Sequence, residues 1–285
     1  MTEAKRRVAI VTDSTAYLPA EMVKAHHLHV VPLMVMMGGK TWRDGVDIDP
    51  SAFYTLLEES SEFPTTSQPS VAAFKGMFDE LLVHYEGIVV ILLADELSGT
   101  MDSALAAKAE MPDAPIEILD SRGISMMLGF PVLVAARAAD AGGDLQTVTD
   151  AARAIIGKVR MYFTVDTLEY LHRGGRIGAA AKLLATAVGI KPLLHIHNGI
   201  VTPLTKVRTR RRALERLVDL VEEQMAGAGS VHLGVFDVAA AEEAAELARR
   251  LKERLHPVEV IQAECSPVLG AHGGPGFLGV AFYAD

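Results

Sequence analysis

The chain has 285 residues, half of them hydrophobic, and a formal net charge of −9; that length favours two domains, with one large α/β domain as the alternative. The charge works against non-specific binding to nucleic acid or to an anionic membrane surface, since both need clustered positive potential. A single cysteine, Cys265, excludes an internal disulfide framework and points to a reducing, cytoplasmic compartment.

The basic opening MTEAKRR runs into an apolar stretch at residues 8–11 that stops at Asp13. This is too short for a signal core or a membrane span, and it reads as a first strand. A helix from Pro19, a strand over residues 30–37, a helix from Ser51, a strand over 88–94 and a helix after Thr100 follow. Such alternation implies parallel strands with crossover helices. Asp49-Pro50 supplies an N-cap and a first-turn proline for one of those helices. Residues 116–119 form another buried strand, a helical stretch runs from Ile124, and Gly142-Gly143 interrupts the chain. A helix from Leu145 then leads to a strand over 161–165, and the domain boundary is placed here, giving 1–158 and 159–285.

The second half differs. Residues 193–197 and 200–207 flank Asn198-Gly199, the strongest short hairpin signal, so part of this sheet is antiparallel. A charged helix from Arg210, a strand over 231–235, a helix over 239–255, and strands over 258–263 and 277–283 complete an α/β chain. No stretch reaches the ~18 apolar residues that spanning requires, so stable membrane insertion is not expected.

In an open parallel sheet, ligands collect beyond the carboxyl ends of the strands. There the sequence is rich in hydroxyls: Asp13-Ser14-Thr15, Thr65-Thr66-Ser67-Gln68-Pro69-Ser70, and Ser98-Gly99-Thr100. Hydroxyls and amides at a helix start bind a carboxylate without a metal. The plain alternative is that Ser14, Ser70 and Ser98 only cap helices; their joint occurrence favours binding. Gly270-Ala271-His272-Gly273-Gly274-Pro275-Gly276 sets one histidine among glycines, as an anion pocket or as a tight turn before the last strand. Arg173-Gly174-Gly175-Arg176 offers guanidinium groups, or is a solvated surface. Arg208, Arg210, Arg211 and Arg212 crowd a helix start, where cations oppose the dipole, and either meet a partner or face water.

Several motifs fail. Gly39-Lys40-Thr41 resembles the end of a P-loop, but Met34 stands where its first glycine belongs, and no dinucleotide fingerprint follows the first strand. Glu96 replaces the glycine of a hydrolase elbow at Ser98. His195 and His197 share one face of a strand without a third metal ligand, so no metal is expected. Met34, Met36, Met37, Met126 and Met127 line a cavity for a flexible ligand or are ordinary core.

Taken in order, Asp13-Ser14-Thr15, Thr66-Ser67-Gln68-Pro69-Ser70, Ser98-Gly99-Thr100, Leu168-Glu169-Tyr170-Leu171 with Arg173-Gly174-Gly175-Arg176-Ile177, Ile190-Lys191-Pro192, Lys206-Val207-Arg208-Thr209 and His272-Gly273-Gly274-Pro275-Gly276 resemble the DegV family over nearly the whole chain. The resemblance implies fatty-acid binding, with the chain as the lipid-presenting subunit of a bacterial fatty acid kinase whose ATP site lies on a separate protein. It implies an N-terminal α/β/α domain with a parallel sheet and a C-terminal α/β domain with a mixed sheet. The carboxylate would be held between them, the acyl chain would enter the second, and no cofactor is expected beyond the bound fatty acid.

Carried over from that resemblance by motif, Thr66 and Ser98 would hydrogen-bond the carboxylate, with His272 opposite and Arg173 or the glycine-rich backbone at Gly273 close by. Ser14, Gly99 and Thr100 would add ligand contacts from the same loops, and Arg208 would face the kinase. Met101-Asp102 stands where Tyr-Gln is usual, and His172 where a basic residue is frequent; Asp102 brings a negative charge toward the anion. Two rival readings stay open. One is an autonomous serine acyl hydrolase with Ser98 as nucleophile and His272 as base, lacking a third member. The other is a lipid-sensing module that docks a protein through residues 208–212.

Overall fold

The computed structural model describes residues 6–60, 62–186 and 189–285; residues 1–5, with which the 1–158 domain begins, lie outside the described residues. Packing divides the chain into two units, Met1–Met34 with Ser67–Gly157 and Val35–Thr66 with Lys158–Asp285. One crossing falls beside the expected 158/159 boundary. The other two enclose an excursion, residues 35–66, that groups with the second half of the sequence.

The first unit is built on a parallel sheet in the order His29–Val31, Arg6–Asp13, Tyr85–Leu92, Ile116–Asp120. Both faces are apolar, as a buried parallel sheet requires. Val8, Ile10, Val89 and Ile91 meet the helices Met126–Asp140 and Leu145–Ile156 on one side. Ala9, Val11, Ile88, Val90 and Leu92 meet Val71–His84 and Thr100–Ala109 on the other. This is the α/β/α arrangement expected.

The second unit holds a six-stranded sheet in the order Ile200–Val207, Lys191–His197, Arg160–Thr164, Leu278–Ala284, Val231–Asp237, Glu259–Glu264. Only its last two strands pair in parallel, so the sheet is mixed. Asn198 and Gly199 both take positive φ, 48° and 75°, as the two-residue hairpin predicted there demands. The helices Arg210–Met225 and Ala241–Leu255 cover one face.

The single strand expected over 30–37 is corrected to two, His29–Val31 and Met34–Met37, in different sheets. Pro32 has no N–H to continue a ladder, and the next amide, Leu33, donates instead to Ser14 Oγ at 3.1 Å. Met34–Met37 pairs with Lys40–Arg43 and Thr65–Ser67 at the two ends of the excursion. The helical segment read before Gly174-Gly175 is Glu169–Arg173, whereas Pro267–Gly273, where a turn was one alternative, is a helix too short to show periodicity. No helix among the described residues is long and apolar enough to cross a membrane.

Candidate ligand-binding site

In the first unit, strand order reverses about Arg6–Asp13, so the loops after that strand and after Tyr85–Leu92 flank the point where open parallel sheets take ligands. Asp13 ties these loops together. Fully buried, it accepts from the Thr15 amide at 2.9 Å and hydroxyl at 2.5 Å with one oxygen, and from the Leu93 amide at 2.8 Å with the other. Burial pushes its carboxyl pKa up in spite of those bonds, and with both oxygens engaged by the two loops Asp13 acts as a structural bracket. Ser14 accepts from Leu33, and its own proton stays available to an acceptor.

On the second loop the hydroxyls of Ser98 and Thr100 stand 2.9 Å apart. Thr100 opens the helix Thr100–Ala109; Gly99, at its N-cap, brings no side-chain acceptor to the first-turn amides. Two hydroxyls and a helix end without a side-chain cap are the kind of groups that attract an anion. Asp102 lies exposed in the same first turn and competes for that positive end.

The second unit carries Thr66, on the strand Thr65–Ser67, and His272, near the end of Pro267–Gly273; Thr66 Oγ1 and His272 Nε2 are 2.8 Å apart. His272 Nδ1 is buried without a hydrogen-bond partner. Its ring lies against Gly174 so closely that a Cβ there would overlap it. Burial first, and the charge of Arg176 second, push the imidazole down to about 4, so it is neutral at neutral pH. An unpaired lone pair is cheaper to bury than an unpaired N–H, which puts the proton on Nε2. Nε2 then donates to Thr66, and the Thr66 proton is left for a ligand.

Arg173 is exposed, pairs with Glu169 at 2.8 Å, and lies over the Phe63 ring at 4.0 Å. Of the two arginines in its motif, Arg176 is the one whose charge acts on His272, and its Nη1 donates to the Gly174 carbonyl at 2.7 Å. Gly273 ends the His272 helix and abuts Phe277. Arg208 is exposed, two residues before Arg210, which is tied to Glu243 and Asp166. Met126 and Met127 are buried, while Met34 and Met36 share the half-open face of their strand. Rings of His195 and His197 lie 5.9 Å apart, and no group of three metal-binding side chains occurs among the described residues. The sequence reading missed Tyr54 and Asp44, which hold the His272 helix; neither sits in a motif.

The parallel α/β/α sheet of one unit and the mixed, helix-covered sheet of the other define the class of two-unit α/β proteins. The chain belongs to the DegV family, whose sequence model, described as "Uncharacterised protein, DegV family", matches residues 7–285. A DegV domain-containing protein of Streptomyces coelicolor is 41% identical over 277 residues, 96% of this chain and 98% of the relative. Among solved structures, a DegV family protein from Thermus thermophilus, described for fatty acid binding, superposes with a TM-score of 0.93 at 30% identity, covering 98% of this chain and 100% of that one. DegV from Bacillus subtilis, a fatty acid binding protein, gives 0.90 at 32% identity, covering 99% and 100%.

Proposed function

We propose that the chain binds a long-chain fatty acid by its carboxylate and presents that carboxylate to a separate ATP-dependent fatty acid kinase, which makes the acyl phosphate. The observation that carries the reading is the Thr66–His272 pair, a neutral imidazole that leaves a threonine proton for an acceptor. The likeness to two fatty-acid-binding proteins of the same fold supports it. Ser14, Ser98, Gly99 and Thr100 of the first unit are donor groups of the same kind, and Gly273 keeps the backbone at His272 small.

Tail burial drives affinity. At about 0.8 kcal/mol per CH₂, about fourteen methylenes offer on the order of 11 kcal/mol gross, of which association and ordering consume a large part. A charge-assisted hydrogen bond adds about 1.5–3 kcal/mol and sets register. Arg173, held by Glu169 and Phe63, serves the rim of the head-group site, and exposed Arg208 meets the kinase. The hydrolase reading gains nothing from the pairing observed, since Ser98 is engaged by Thr100 and His272 by Thr66.

Native mass spectrometry of protein from a lipid-replete host is expected to show one fatty acid per chain; a bare mass together with no uptake on titration would overturn the reading. Thr66→Val and Ser98→Ala, singly and together, test whether one ligand uses both groups, because non-additive losses mark a shared carboxylate. Acyl phosphate, trapped by hydroxylamine, is expected only when this chain, a kinase and ATP are combined.

A further inference from the structure

His272 rides on a helix of seven residues, Pro267–Gly273, too short to fix its own orientation by main-chain bonds alone. Three residues of the 35–66 excursion grip it. Asp44, 1% exposed, accepts from Ser266 Oγ at 2.7 Å and from the Val268 amide at 3.4 Å, at the helix start. Tyr54, also buried, donates its hydroxyl to the Cys265 carbonyl at 2.6 Å, with the Ser266 carbonyl at 3.3 Å. Its ring meets Gly270, one of the seven helix residues, where any Cβ would overlap it. Thr66 holds the other end through His272 itself.

These contacts act in one direction each. Asp44 is an acceptor for the helix start, and Tyr54 is a donor to the carbonyls just before it. Burial and neighbouring negative charge, that of Asp44 and Glu264 included, keep the phenol protonated, so this donor does not switch off with pH in the working range. The tight fit at Gly270 stops the helix from sliding along the ring. A hydrogen bond weakens steeply with misalignment, so the helix position decides how His272 Nε2 meets Thr66.

We propose that Tyr54 and Asp44 are positioning residues that fix the His272 imidazole against Thr66 and so set the affinity for the fatty acid head group. This rests on the ligand reading given above. A purely scaffolding role would affect stability alone, whereas positioning also governs how the ring is sequestered and how the Thr66 proton is offered.

The test compares Tyr54→Phe and Asp44→Asn with Leu251→Ala, a core truncation under the helix Ala241–Leu255 that destabilises the unit away from His272. The His272 titration, followed by nitrogen-15 NMR of the free protein, is expected to move in Tyr54→Phe from about 4 toward 6.5 as the ring hydrates. Oleate affinity is expected to fall about tenfold, the scale of one lost hydrogen bond. Asp44→Asn is expected to do the same. Leu251→Ala is expected to lower the Tm and leave both readouts at the wild-type values. If Tyr54→Phe and Asp44→Asn lower the Tm but keep the wild-type titration and affinity, the positioning role is wrong. If the wild-type chain takes up no oleate, the ligand reading fails, and the His272 titration still decides whether Tyr54 and Asp44 place the ring.

Discussion

Ser98 and Thr100 meet because they lie two residues apart at a helix start, whereas Thr66 and His272 meet across 206 residues of sequence. The first pair is assembled by one turn of backbone and contains nothing that titrates. The second depends on an excursion of the chain, a buried tyrosine, a buried aspartate and a ring packed against Gly174. Similar hydroxyl chemistry is thus offered once by local structure and once by long-range packing. The local pair tolerates change; the packed pair is pre-ordered and sensitive to anything that disturbs its surroundings.

The largest expected difference between the pairs is in pH dependence. Between pH 6.5 and about 4 the unfolded chain takes up a proton at His272 that the folded chain refuses. This contribution to stability is whole above pH 6.5 and is lost as pH falls toward 4, by about 3 kcal/mol. Denaturant titrations of the wild type and His272→Gln across that window are expected to diverge, and parallel curves would show that the imidazole is not sequestered. The Ser98–Thr100 pair contributes no such slope.

Next in size is the bracket of the first unit. Asp13→Asn places an amide where two amides and a hydroxyl already donate, and a stability loss of about 2–3 kcal/mol is expected in urea unfolding. A smaller loss than that would put the first unit's loops on weaker ties than the second unit's. Gly174→Ala probes the packed pair sterically. The new methyl overlaps the His272 ring, an overpacking that costs about 1–3 kcal/mol, and calorimetric titration is expected to show weaker fatty acid binding. Ser98→Ala is expected to cost about 1 kcal/mol of affinity, since Thr100 and the helix end remain. Arg173→Ala comes last: its pairing with Glu169 is exposed, and less than about 1 kcal/mol of stability is expected to be lost.

Most of the frame was legible because it is periodic. The alternating runs gave the parallel sheet, Asn198-Gly199 gave the hairpin, and Asp49-Pro50 gave a helix start, with Asp49 Oδ1 accepting from the Ala52 amide at 2.9 Å. Three things were hidden. Pro32 divides one apolar run between two sheets, and hydropathy does not register a missing N–H. Strands of three or four residues, such as Thr65–Ser67 and Lys40–Arg43, carry too few side chains to show alternation. Tyr54 and Asp44 work through partners more than two hundred residues away, a relation that no window on the sequence contains. Within the motif at 173–176, spacing could not say which arginine acts on His272, because that depends on where each guanidinium comes to rest.

The excursion at residues 35–66 also bears on how the chain is made. During synthesis these residues leave the ribosome early, yet Asp44, Tyr54 and Thr66 find their partners only when residues 265–272 have followed. Contacts of such sequence separation are slow to form because a long loop must close first. The nascent excursion, with Phe53, Tyr54 and Leu57 destined for burial, therefore waits with its apolar side chains uncovered, the condition under which chaperones engage and misassembly begins.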